Sequence, residues 1–160
     1  EEWIDLRQAI TQVTAICRAR LKNDVTTFTV DMPEDLPRIW SDAQAIEQIV
    51  LNLLINAAQS ADKPASRIRL SATVQACWTD HAVIEVEDNG CGMDEETCQR
   101  IFDPFFSTKS DQGGVGLGLY ICQNLVEHLR GRIEVESRPG HGSTFRVILP
   151  DKERRRHKRL

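Results

Sequence analysis

The chain has 160 residues, 41% of them hydrophobic and 28% charged, with few aromatics. That is enough for one domain with a real aliphatic core. The net charge of -4 conceals six Lys/Arg against two Asp/Glu in residues 151–160, so the other 150 residues carry -8. A nucleic-acid binder would carry its basic residues on the folded face; here they sit in a terminal segment, which reads as a disordered tail. The apolar stretch 46–61 is interrupted by Glu47, Gln48, Asn52, Asn56 and Gln59, which excludes a membrane span. Glu1-Glu2-Trp3 is no signal peptide and suggests a piece of a longer protein. The five cysteines are scattered, without a CxxC or Cys/His cluster. A zinc site is not expected, and free thiols point to the cytosol.

In chain order, Leu6, Ala9, Ile10, Val13, Ile16, Cys17 and Leu21 recur at helical spacing and predict a helix over 5–22. Thr26 to Met32 alternates as a strand, and Pro33 to Pro37 is a loop. Ser41 or Asp42 caps a helix to about Ala61. Strands follow at Ile68–Trp78 and Ala82–Glu87, with Thr79-Asp80-His81 as the hairpin turn. A short helix spans Asp94 to Ile101. Residues 103–115 form a loop. Leu117 to Leu129 is a helix, with Gly131 as its C-terminal cap. Arg132–Ser137 and Ser143–Leu149 are closing strands around Pro139-Gly140-His141-Gly142. The hairpin-linked strands predict an α+β, two-layer sandwich: a mixed sheet with helices on one face.

Four segments can carry chemistry. On the second helix, Gln48, Asn52, Asn56 and Ser60 lie four apart and stack on one face, with Gln59 beside them. Mid-helix asparagines are poor helix formers. A solvated stripe would be made more cheaply from Lys and Glu, whereas amide oxygens suit a hard cation. In Asp88-Asn89-Gly90-Cys91-Gly92-Met93, a strand ends in a carboxylate able to accept a hydrogen bond from an exocyclic amine. Its two glycines permit close backbone approach, although a plain tight turn has the same composition. Gly113-Gly114-Val115-Gly116-Leu117-Gly118-Leu119 leads into a helix, and its backbone N–H groups could cradle phosphates. It is neither a Walker A loop nor a Rossmann fingerprint, and a flexible linker remains open. Ile101 to Lys109 holds three of the five phenylalanines, a small apolar cluster ahead of that loop.

Taken together and in this order, these segments resemble the catalytic ATP-binding domain of two-component sensor histidine kinases, in the superfamily shared with gyrase, MutL and a heat-shock chaperone. Gln48 to Ala57 resembles the N box, Asp88 to Met93 the G1 box, Ile101 to Lys109 the F box, Gly114 to Leu119 the G2 box, and Gly140 to Phe145 the last glycine motif. The resemblance spans residues 1–150, with 151–160 as the tail, and implies a Bergerat-type sandwich of mostly antiparallel strands. It implies ATP and Mg²⁺ as cofactors. Asp88 would take adenine N6, with Thr144 near the same ring, and Asn56 would ligate Mg²⁺. Asn52 would line the phosphate side. Gly114, Gly116 and Gly118 would let a lid wrap the triphosphate over Leu117 and Leu119. Lys109 would approach the terminal phosphates. The implied pocket also takes in Gln59, Gly90, Gly92, Met93, Phe105 and Val115, and the implied catalytic residues are Asn52, Asn56 and Lys109.

Hydrolysing relatives carry a glutamate where this chain has Asn52, and an asparagine is no general base near neutral pH. The resemblance therefore implies transfer of the γ-phosphoryl of ATP to a histidine on a separate dimerisation domain, with a response regulator downstream. Neither nucleic acid nor direct membrane contact is expected. The setting would be cytoplasmic, including the cytosolic portion of a membrane-bound sensor. The alternatives are a non-catalytic ATP-sensing module and a hydrolysing ATPase. Many family members have a basic residue at the position of Gln59, and Lys109 or Arg100 could compensate. None of His81, His128, His141 and His157 has the sequence surroundings of a phosphoacceptor.

Overall fold

The computed structural model describes residues 1–76, 80–106 and 117–151. The elements are β1 (Glu2–Ile4), α1 (Leu6–Leu21), β2 (Thr27–Asp31), β3 (Ile39–Ser41), α2 (Ala43–Gln59), β4 (Arg67–Ala76), β5 (Asp80–Asp88), α3 (Glu95–Arg100), α4 (Gly118–His128), β6 (Arg132–Arg138) and β7 (Gly142–Pro150). Helix α1 starts where the Asp5 carboxylate accepts the Gln8 N–H, and α2 where Asp42 accepts the Ala45 N–H at 3.1 Å. Each cap satisfies an N–H that has no partner within its helix.

A five-stranded sheet has the order β2-β4-β5-β7-β6. The β2–β4 pair is parallel, and the other three pairs are antiparallel. Strand alternation sorts the side chains by face. Leu70, Val86, Phe145 and Val135 form one cross-strand row, and Ala72, Ile84, Val147 and Ile133 the next. On β4, β5 and β7 these residues are all buried. The intervening rows carry Arg69, Glu87, Thr144 and Glu136, then Ser71, Glu85, Arg146 and Glu134. On that outer face Arg146 pairs with Glu85 at 3.0 Å and Glu134 at 3.4 Å. The charges lie on the face away from the core.

Helix α2 lies between α1 and α4 and rests on β4 and β5, while α3 and α4 contact β6. Its Ile46, Ile49, Val50, Leu53 and Leu54 are fully buried, each stabilising by about 1.5–3 kcal/mol relative to exposure. The result is the two-layer α+β sandwich expected from the hairpin pattern.

Several local expectations change. Ile16, counted on the apolar face of α1, is exposed. A second sheet pairs β1 with β3, and Trp3 meets Trp40 edge to face at 5.8 Å. Strands of three residues are too short to show an alternating pattern. Asp80 and His81 belong to β5 rather than to the hairpin turn, and His81 lies opposite Gln75 and Pro150. Asp151, assigned to the tail, is buried and its carboxylate faces the Trp40 N–H at 3.4 Å. The rest of the tail lies outside the described residues. At the end of α4 it is Arg130, not Gly131, that adopts the left-handed conformation, with φ 59°.

Candidate nucleotide site

The inward row at one end of the sheet is polar on three of its four strands. Across β4, β5, β7 and β6 it reads Ile68, Asp88, Ser143 and Ser137. The apolar rows beside it continue the core, so the carboxylate of Asp88 sits at the rim of a dry interior. Asp88 is 6% exposed, and its Oδ1 accepts the Gly90 N–H at 2.8 Å. The Ser137 and Ser143 hydroxyls are 2.7 Å apart. Ser137 Oγ also accepts the Met93 N–H at 2.8 Å and lies 3.0 Å from the Gly142 carbonyl. This ties β6, β7 and the turn after β5 together around Asp88.

Glycines allow that convergence. Gly92 and Gly142 have φ of 67° and 85°, values that side chains disfavour. A Cβ on Gly142 would lie 2.0 Å from the Asp88 carbonyl, and one on Gly90 2.3 Å from the Ser60 carbonyl. A Cβ on Gly92 would lie 1.9 Å from the Arg138 carbonyl, so the close approach inferred from the sequence for Gly90 and Gly92 is an approach to protein backbone. It fixes the turn around Asp88.

The turn is held from two more sides. Asn89 accepts the Arg67 N–H at 2.7 Å and donates to the Ala65 carbonyl at 2.9 Å. The Cys91 N–H donates to Ser60, the C-cap of α2, at 2.9 Å. Lys63 Nζ donates to the carbonyls of Asn89 and Gly90 at 2.6 and 2.7 Å. The end of α2 and the turn after β5 are thereby one rigid joint.

Helix α2 brings its amides to the same end of the molecule. Gln48 Nε2 donates to Asn52 Oδ1 at 3.0 Å, and Asn52 Nδ2 donates to the Gly118 carbonyl at 3.2 Å. Asn52 thus spans from α2 to the first residue of α4. Asn56, one turn on, is half-buried, and its side chain makes no hydrogen bond among the described residues. Of the two asparagines, Asn52 has its oxygen engaged by Gln48, and Asn56 has an oxygen that could face a cation. Ser60 turns inward on its own helix, its hydroxyl donating to the Asn56 backbone carbonyl at 3.0 Å.

The other expected residues divide. Leu117 and Leu119 are half-buried at the start of α4. A Cβ on Gly118 would meet nothing within 4 Å among the described residues. Gln59 is exposed and lines a groove of about 490 Å³ beside Cys17, Arg20 and Asn23 at the end of α1. Phe105 is 74% exposed with φ 65°, whereas Phe102 and Phe106 pack against the core. Arg100 lies over the Phe106 ring at 4.7 Å. Thr144, expected beside the ring, lies opposite Glu87 and faces away from Asp88; the hydroxyl beside Asp88 belongs to Ser143. Strand alternation moves that position by one residue. Lys109, Gly114, Val115 and Gly116 lie outside the described residues. Ser137, Ser143 and Lys63 were not found by sequence reasoning. Only the period-2 pattern of β7 could have pointed to Ser143.

The profile described as "Histidine kinase-, DNA gyrase B-, and HSP90-like ATPase" matches residues 41–153. Among curated proteins, the chain is 42% identical over 123 residues to the signal transduction histidine-protein kinase AtoS of Escherichia coli, covering 77% of this chain and 19% of that protein. It is 35% identical to the sensor histidine kinase ZraS of Klebsiella oxytoca, covering 92% of this chain and 31% of that one. The chain therefore spans a fifth to a third of these relatives. Among solved structures, the catalytic domain of histidine kinase ThkA matches with a TM-score of 0.75 at 28% identity, covering 94% of this chain and 97% of that chain. Full-length ShkA in complex with AMPPNP matches with a TM-score of 0.79 at 26% identity, covering 92% of this chain and 30% of that one. The chain belongs to the histidine kinase-, DNA gyrase B- and HSP90-like ATPase family, and within it is an ATP-binding catalytic domain of the sensor histidine kinase kind.

Proposed function

We propose that this domain binds Mg-ATP with its adenine on Asp88 and its phosphates along α2 and the start of α4, and passes the γ-phosphoryl to a histidine on a separate dimerisation domain. A response regulator would be the next acceptor, in the cytoplasm. The observation that carries the reading is the buried Asp88 carboxylate, in a turn joined to the end of α2 at Ser60. A carboxylate in that setting favours a ligand edge that presents an N–H, such as the exocyclic amine of adenine, over an edge that presents only acceptors. Ser143 is the neighbouring hydroxyl on the same face.

The residues present fit a magnesium ion held mainly by phosphates. Magnesium is usually bound by one or two protein oxygens together with substrate phosphates and water, and Asn56 offers such an oxygen. Among the described residues no group of three His, Cys, Asp or Glu could hold a metal alone. When bound, the ion would neutralise phosphate charge. Asn52 holds Gly118 and so sets where the first N–H groups of α4 point; those groups lack intrahelical partners and suit phosphate oxygens. The same Asn52 offers no base to activate water, which favours transfer over hydrolysis. Positioning and electrostatics then supply most of the catalysis. Lys109 and the 113–116 glycine loop would complete the phosphate end.

Two measurements test this. Calorimetry with ATP and Mg²⁺ should show binding that Asp88→Ala weakens by roughly a hundredfold, the order expected for a buried charged hydrogen bond; unchanged affinity would remove Asp88 from the pocket. With radiolabelled ATP, label should appear on the parent kinase's histidine-bearing domain only when both are mixed. Phosphohistidine on this domain alone would refute transfer to a separate partner.

A further inference from the structure

We infer that Lys63 is a positioning residue for the base-binding end of the pocket, acting on Asp88 through the single peptide group that joins Asn89 to Gly90. This rests on the adenine-nucleotide reading above and deepens it. The Nζ of Lys63 has three acceptors: the Asn89 carbonyl at 2.6 Å, the Gly90 carbonyl at 2.7 Å and Asp62 Oδ1 at 3.3 Å. An ammonium has three N–H donors, so all are used. The Asn89 carbonyl and the Gly90 N–H belong to one peptide. That N–H donates to Asp88 Oδ1 at 2.8 Å. A cation on the carbonyl side of an amide polarises it and strengthens its N–H as a donor. The charge of Lys63 thus reaches a buried carboxylate that it does not touch.

The second carbonyl repeats the arrangement. The Gly90 carbonyl shares its peptide with the Cys91 N–H, which donates to Ser60 at the end of α2. Lys63 therefore polarises two successive peptides, one aimed at Asp88 and the other at the helix that carries Asn52 and Asn56. With Gly90 packed against Ser60, the turn cannot slide to compensate for a lost contact. With Oδ1 held by Gly90, the Asp88 carboxylate is fixed in one rotamer, which sets where its other oxygen meets a ligand. An exposed lysine paired with its neighbour Asp62 would count for little. Here the two shorter contacts are to the carbonyls, and the side chain is only 37% exposed.

The test compares Lys63→Met and Lys63→Arg with wild type in the whole chain, using ADP, inorganic tripolyphosphate and the Gly90 amide proton shift. Lys63→Met should weaken ADP about tenfold, leave tripolyphosphate unchanged and move the ligand-free Gly90 amide proton upfield. Lys63→Arg should restore most of the ADP affinity. ADP affinity within twofold of wild type with an unmoved Gly90 resonance would overturn the inference. So would an equal loss for ADP and tripolyphosphate with a lowered melting temperature, which would make Lys63 a structural support only. Failure of wild type to bind ADP would instead sink the adenine reading, and the ligand-free Gly90 shift would then decide the relay by itself.

Discussion

Asp88 and Ser143 face each other because they are opposite in an antiparallel pair, and Thr144 points away because it is the next residue along. That places a prediction at the scale of a single side chain. Ser143→Ala should weaken ATP roughly three- to tenfold, the worth of one hydrogen bond. Thr144→Ala should leave it within about twofold. Competition with a fluorescent nucleotide would measure both, and a larger loss in Thr144→Ala would show that the ring approaches the outer face instead. The sequence made Asp88 legible because a carboxylate at a strand end followed by spaced glycines is an unusual local pattern. It could not rank Ser143 against Thr144, since adjacent hydroxyls differ only by the face on which the strand places them. Nor could it find Lys63, whose role lies in two backbone carbonyls 26 and 27 residues away.

At the scale of an element, α4 ends in a hydrogen-bonded cap. The Arg130 N–H donates to Glu127 and the Gly131 N–H to Val126, both at 2.9 Å. This is the Schellman arrangement, in which the left-handed residue is usually glycine. Here that residue is Arg130, at a cost of roughly 1–2 kcal/mol for an L side chain. Gly131 is kept small for another reason: a Cβ there would lie 2.4 Å from the Ile148 carbonyl. Arg130→Gly should therefore stabilise the domain by roughly 0.5–1 kcal/mol, the relief of strain less the entropy of a freer unfolded chain. Urea unfolding would measure it, and a loss of stability would show that the Arg130 side chain contributes more than its backbone costs. A glycine near a helix end signals a cap, but sequence alone leaves the choice between adjacent positions to the packing of the next strand. The same limit explains β1 and β3, which are stabilised by each other and by the Trp3–Trp40 contact across 37 residues of chain.

At the scale of the whole molecule, the helical layer buries a thiol. Cys122 on α4 has no exposed surface, and burial pushes its pKa up to about 12 from an ordinary 9.0. Below pH 9 the thiol is neutral in both states and contributes no pH dependence. Between pH 9 and 12 the unfolded chain loses this proton while the folded one keeps it. Folding stability then falls by about 1.4 kcal/mol per pH unit from this group. Burial also raises Cys17 and Cys98, so some slope should remain in Cys122→Ala. Urea midpoints at pH 8.5 and 10.5 should fall more steeply in wild type than in Cys122→Ala; equal slopes would contradict a dry thiol. No helix among the described residues is long and apolar enough to cross a membrane.

The sequence by itself determined the layers and made most of the candidate site legible. Periods of 3.6 and 2 mark which faces must be buried, and α2 with its amides, Asp88 and the glycine clusters are local patterns whose order along the chain carries the family resemblance. Tertiary structure alone decided which hydroxyl joins Asp88, that Asn52 reaches across to Gly118, and that Asp151 lies inside the body rather than the tail. It also decided that the glycines around Asp88 admit protein backbone and that Lys63 braces their turn. These depend on register and on contacts between segments far apart in the chain, which no local pattern encodes. The glycine cluster after Asp88 is a joint between a strand, a turn and the end of a helix.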